Sequence, residues 1–85
     1  MTSHVDGNIL AGPLSELFRF DVTVASARCV TCGEVAMLAQ AMVYVQPRAY
    51  VVRCSHCDDV LMTVIDEGDA TQLDLSGMVW MHIPR

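Results

Sequence analysis

Residues 28–35 read RCVTCGEV and residues 53–60 read RCSHCDDV. Both follow one frame, Arg-Cys-x-x-Cys-x-acid-Val, and the second copy lies 25 residues beyond the first. A Cys-x-x-Cys turn brings two sulfurs close enough to chelate one ion and leaves half of a tetrahedron open; a second turn completes it. Between Cys32 and Cys54 lie 21 residues, Gly33 to Arg53, enough for a hairpin and close to the spacing of paired Cys-x2-Cys zinc sites. Cys29, Cys32, Cys54 and Cys57 are therefore expected to form a closed tetrathiolate site, with Zn²⁺ as the preferred ion at about 2.3 Å from each sulfur.

The residues around the cysteines fit the same chemistry. Gly33 follows the first pair, where a knuckle needs a positive φ so that backbone N–H groups point at sulfur, and Asp58 stands at the same place in the second copy. Asp tolerates that region less well than Gly, so the second knuckle is expected to be the more strained. Arg28 and Arg53 flank the site and are placed to offset the net −2 of a divalent ion with four thiolates, although a solvated strand-end arginine is the plainer reading. His56 lies between Cys54 and Cys57, where side chains point away from the ion, and is expected to face solvent. The competing readings of the cysteines are buried free thiols, two local disulfides, or a thioredoxin-like redox pair. The last requires a helix after the motif, whereas both copies here lead into β-type sequence.

The bulk of the chain narrows the choice. At 85 residues it is short enough that a hydrophobic core alone gives marginal stability, so a staple is expected. No basic segment followed by an apolar one opens the sequence, which argues against a secreted disulfide scaffold and for a reducing cytoplasm. The hydrophobic fraction is 53%, yet the longest apolar run, Val35 to Val45, is interrupted by Gln40, and nothing spans a membrane as a helix. The formal charge is −5, there is no lysine, and Arg19, Arg28, Arg48, Arg53 and Arg85 are scattered. That balance repels a phosphate backbone, so nucleic acid is not an expected partner.

Along the chain, Asp6-Gly7-Asn8 reads as a turn, and Pro13 to Phe18 as a short helix with Pro13 at its first position and Glu16 in its first turn. Phe20, Val22 and Val24 alternate with Asp21, Thr23 and Ala25 as in a half-buried strand. Val43-Tyr44-Val45 reads as strand up to Pro47, with Met37 to Gln40 left open. Tyr50-Val51-Val52 leads into the second cysteine pair and Val60 to Ile65 leads out of it. Gln72–Leu75 and Met78–Ile83 read as a hairpin joined at Ser76-Gly77. The expectation is one mainly β domain over 1–85: an N-terminal segment with a short helix (1–19), a two-knuckle antiparallel ribbon (20–65) and a C-terminal hairpin (66–85).

The two knuckles at strand tips resemble the zinc-ribbon and rubredoxin-like superfamily over about Phe20 to Ile65, a likeness that fixes a tetrathiolate site and says little about function. VDGNILAGPLSELF ahead of the knuckles and LDLSGMVWM behind them are similar to a small bacterial family known only as a domain of unknown function, and this likeness covers nearly the whole chain. The resemblance implies a genomic setting near flavin- or molybdopterin-dependent oxidoreductases.

A closed site has no open position for water or substrate, and no paired carboxylates, nucleophile elbow or phosphate-cradling loop accompanies it, so the chain is not expected to be an enzyme. The leading expectation is a zinc-ribbon module that contacts a protein partner, with an oxidoreductase as the partner the resemblance implies. The alternative is a rubredoxin-like one-electron carrier with iron in the same four cysteines. Six methionines with Trp80 and Tyr44 exceed what one small sheet face buries, so an exposed patch or homodimer contact is expected on Val35–Val45 and Met78–Ile83.

Overall fold

Each Cys-x-x-Cys turn joins two antiparallel strands, and the two hairpins so formed belong to different sheets. The computed structural model describes residues 4–12, 14, 18 and 21–84. One sheet has five strands: β1 (Val5–Asp6), β4 (Met42–Gln46), β5 (Ala49–Arg53), β6 (Val60–Asp66) and β7 (Thr71–Asp74), in the order β1-β4-β5-β6-β7. The other has three, β2 (Ser26–Cys29), β3 (Val35–Met37) and β8 (Met78–His82), in the order β3-β2-β8. The first knuckle caps the β2–β3 hairpin and the second caps β5–β6.

Period-two burial sets the inner face of each sheet. Val43 pairs with Val52, and Val52 with Met62, in a row that is essentially inaccessible to solvent. Full burial of each such side chain is worth about 1.5–3 kcal/mol. In the smaller sheet, Ala27 lies between Ala36 and Met81 on the inner face. The opposite face carries two rows, Val35–Arg28–Trp80 and Met37–Ser26–His82. Leu10, Leu14, Val22 and Leu38 complete the same hydrophobic cluster.

Two expectations are corrected, and a third lies mainly outside the described residues. Residues 22–24 form a 3-10 turn and not a strand, because the Asp21 carboxylate accepts from both the N–H (3.0 Å) and the hydroxyl (2.6 Å) of Thr23. This local cap outcompetes the ladder that the alternation suggested, and the strand begins at Ser26. The helix expected over 13–18 falls mainly on residues outside those described; among the described residues the helical segments, Gly7–Ala11, Val22–Val24 and Leu38–Gln40, are all 3-10. Two i→i−4 bonds do run through this stretch, from Leu14 N–H to the Leu10 carbonyl (3.0 Å) and from Phe18 N–H to the Leu14 carbonyl (3.1 Å).

The C-terminal strands, finally, do not form a hairpin. β7 pairs with β6, whereas β8 crosses to β2 in the other sheet. Gly77 makes the crossing possible. Its N–H donates to the Leu61 carbonyl (3.1 Å) and its carbonyl accepts from Val30 N–H (3.0 Å), so one residue bridges both hairpins beside their knuckles. A Cβ here would overlap the Val60 carbonyl oxygen and meet Leu61 Cα at 2.7 Å. Gly77→Ala is therefore expected to cost about 1–3 kcal/mol, as overpacking against backbone does. Gly12→Ala, at a φ of −70° with open space around it, is expected to be neutral within about 0.5 kcal/mol. Paired thermal melts test the contrast, and equal Tm values for the two variants would refute the wedge.

Candidate metal centre

The repeated frame is a repeated fold. In the first knuckle Gly33 N–H donates to the Cys29 carbonyl (2.9 Å) and Cys29 N–H to the Glu34 carbonyl (2.9 Å). In the second, Asp58 N–H donates to the Cys54 carbonyl (2.9 Å) and Cys54 N–H to the Asp59 carbonyl (2.8 Å). Arg28 stands opposite Val35 across its hairpin, as Arg53 stands opposite Val60, so the ends of the shared frame are cross-strand partners. Gly33 has φ +80° and Asp58 has φ +69°, the left-handed backbone expected at both places.

The two knuckles face each other. All four sulfurs lie within 4.8 Å of one another, with Cys29 Sγ 3.6 Å from Cys57 Sγ and Cys32 Sγ 3.7 Å from Cys54 Sγ. A tetrahedron with metal–sulfur bonds of about 2.3 Å has sulfur–sulfur edges of about 3.8 Å, so the four cysteines are positioned to hold one ion. Among the described residues no other group of three or more His, Cys, Asp or Glu side chains converges in this way. Cys29 and Cys54, the first cysteine of each pair, are buried; Cys32 is exposed and Cys57 half-buried.

Electrostatics also favour a cation. Burial raises the Cys29 thiol, but the N–H groups of Cys32 and Thr31 and the neighbouring Cys57 and Cys32 sulfurs outweigh it and bring it down to about 7. Cys57 goes the other way: the Asp59 N–H favours its thiolate, yet burial and the sulfurs of Cys29, Cys32 and Cys54 push it up to about 12. One thiolate is easily made and the last is strongly opposed, the behaviour of like charges crowded without a counter-ion. A divalent ion removes that repulsion. His56 supplies its backbone N–H to Cys54 Sγ at 3.4 Å, while its side chain is exposed and outside the sulfur cluster.

The flanking arginines behave differently from each other. Arg53 Nη1 donates to the Asp58 carbonyl at 2.8 Å and its guanidinium lies 5.4 Å from the centroid of the Tyr44 ring, which His4 stacks on from 5.6 Å. Arg28 lies over Gly33, close enough that a Cβ there would sit 3.6 Å from its Nη2. The roles of Tyr44 and Gly77 were not visible in the sequence, because neither belongs to the cysteine frame and both act through contacts that depend on the fold.

Two outcomes are expected. Gly33→Ala lowers the stability of the metal-loaded chain by about 1–2 kcal/mol, the cost of left-handed backbone for a residue with a Cβ, whereas Asp58→Gly leaves it unchanged or raises it by about 0.5 kcal/mol; denaturant melts in which both variants lost equally would contradict the assignment of strain. Metal affinity falls on acidification, by about tenfold per pH unit for each proton displaced, since thiols that hold protons near neutrality must release them to bind. Chelator competition at about pH 8 and about pH 6 measures this slope, and a flat profile would exclude thiolate ligation.

No curated protein and no solved structure matches this chain. A family model does, and it extends from residue 1 to residue 85, so the knuckles, the crossing at Gly77 and both sheets all lie within the matched region. The chain belongs to a family of unknown function, DUF6510.

Proposed function

We propose that this chain is a non-enzymatic zinc-ribbon protein in which one Zn²⁺, held by Cys29, Cys32, Cys54 and Cys57, ties two small sheets into a module that docks on a protein partner. The convergence of four sulfurs, two from each sheet, carries the reading. With every corner of the tetrahedron supplied by the chain, the ion has no open position for a substrate or an activated water, which suits a structural role. The fold's small size makes such a role valuable, because ion binding contributes directly to folding free energy.

Iron in the same thiolates is the second reading, favoured by the exposure of Cys32, which would give an electron a short path to solvent or to a redox partner. The exposed Asp58 and Asp59 beside the second knuckle weigh against it. Acids disfavour the more negative reduced centre and lower its potential.

Protein produced in medium containing both metals is expected to be colourless, with one zinc per chain by elemental analysis. A red preparation with a reversible one-electron couple would overturn zinc in favour of the carrier. Cys29→Ser and Cys57→Ser are expected to abolish stoichiometric metal and to lose amide dispersion around both knuckles in NMR spectra. Full dispersion in chelated, reduced wild-type protein would refute the ion as staple.

A further inference from the structure

The outer face of the three-stranded sheet is unlike the rest of the molecule. Its rows Val35–Arg28–Trp80 and Met37–Ser26–His82 place three large apolar side chains on the surface, Val35 at 51%, Met37 at 44% and Trp80 at 40% exposure. The chain carries ten acidic residues and a net charge of −5, yet none of the residues of β2, β3 or β8 is acidic. Arg28 is the one charged residue in these strands, and it stands in the middle strand between Val35 and Trp80.

The repeat provides an internal comparison. Arg53, at the equivalent place in the second copy, is engaged by the Asp58 carbonyl and the Tyr44 ring. The Arg28 side chain has no ion pair or hydrogen bond with a described residue and lies exposed over Gly33. An arginine set among apolar side chains, in a sheet from which acids are absent, is an incomplete pair. An exposed ion pair contributes little, but one enclosed by apolar neighbours on docking gains strength from the lost water.

We propose that this face binds an acidic segment of a partner protein, with one carboxylate received by Arg28 and apolar side chains on either side of it covering Val35, Met37 and Trp80. Charge decides against a second copy as the occupant: the same face of another molecule would set Arg28 against Arg28 and supply no acid. The inference deepens the docking-module reading and rests on it, since the face adjoins the first knuckle and is held in shape by the β2–β3 hairpin.

Trp80 is the sole tryptophan, so the face reports on itself. Zinc-loaded protein is titrated with an N-acetylated peptide of alternating valine and glutamate and, separately, with its lysine counterpart, and Trp80 emission is followed. The acidic peptide is expected to shift emission to shorter wavelength saturably and to bind less tightly as salt rises, and the lysine peptide to leave it unmoved. Arg28→Gln weakens binding about tenfold or more, the loss typical of a charge-assisted hydrogen bond. Val35→Glu, which sets a carboxylate opposite Arg28 on the neighbouring strand, blocks it. Equal binding of both peptides, an unmoved Trp80 with zinc-loaded protein, or unchanged affinity in an Arg28→Gln variant that retains its zinc would overturn the proposal. So would sedimentation as a dimer with Trp80 already shielded, which would assign the face to a second copy. Zinc content measured on the same sample separates the two readings: protein without zinc refutes the metal assignment, whereas zinc-loaded protein that ignores the acidic peptide refutes only the surface.

Discussion

Four sulfurs meeting within 4.8 Å is the constraint on which the rest of the molecule depends. The two hairpins that supply them lie in separate sheets, and neither sheet is large: one has three strands, the shortest of three residues. Uncompensated, the cluster works against the fold, because thiolates at this separation repel and thiols forced to stay protonated forgo the stronger charge-assisted bonds of the knuckle N–H groups. With a cation the same crowding becomes attraction. The backbone of each knuckle is built for this outcome, turning through positive φ at Gly33 and Asp58 so that its N–H groups face inward.

The centre was legible in the sequence because its determinants are local. A Cys-x-x-Cys turn, the residue after it and the flanking Arg and Val are specified within eight positions, and both copies adopt matching hydrogen bonds. The strands that enter and leave the second knuckle were legible for the same reason, read at Tyr50–Val52 and Val60–Ile65 and found at Ala49–Arg53 and Val60–Asp66, whereas those of the first, Ser26–Cys29 and Val35–Met37, were not. Where the reading failed, a contact of a few atoms outweighed a pattern of several residues. Alternation over residues 20–25 pointed to a strand, but the Asp21 carboxylate binds Thr23 twice and tightens the chain into a 3-10 turn. Ser76-Gly77 looked like a hairpin turn, whereas Gly77 is needed for its lack of a side chain where two sheets close on it. Such proximity arises only once distant segments have met, so no periodicity announces it.

The arginines illustrate how a duplicated motif diverges in use. Both lie one residue before a knuckle and opposite a valine. Tyr44, on the strand next to Arg53, gives the second copy an aromatic surface to lie on, and the Asp58 carbonyl fixes it. The first copy has Trp80 as cross-strand neighbour and, among the described residues, no equivalent anchor. One arginine is thereby spent on the fold and the other remains available to the surface.

The crossing from β7 to β8 bears on how the molecule comes apart. The sheets are joined through Gly77, which holds Leu61 on one side and Val30 on the other, and through the one hydrophobic core to which both contribute, Ala27 and Cys29 from the smaller and Val43, Val52 and Met62 from the larger. The sulfur cluster, two sulfurs from each hairpin, adds a further tie beside the Gly77 joint. Two sheets of this size, linked only by loops, would open independently as separate units. Tied through the ion, Gly77 and a common core, neither sheet can open without exposing the other's contacts, so the whole domain is expected to melt in a single cooperative step.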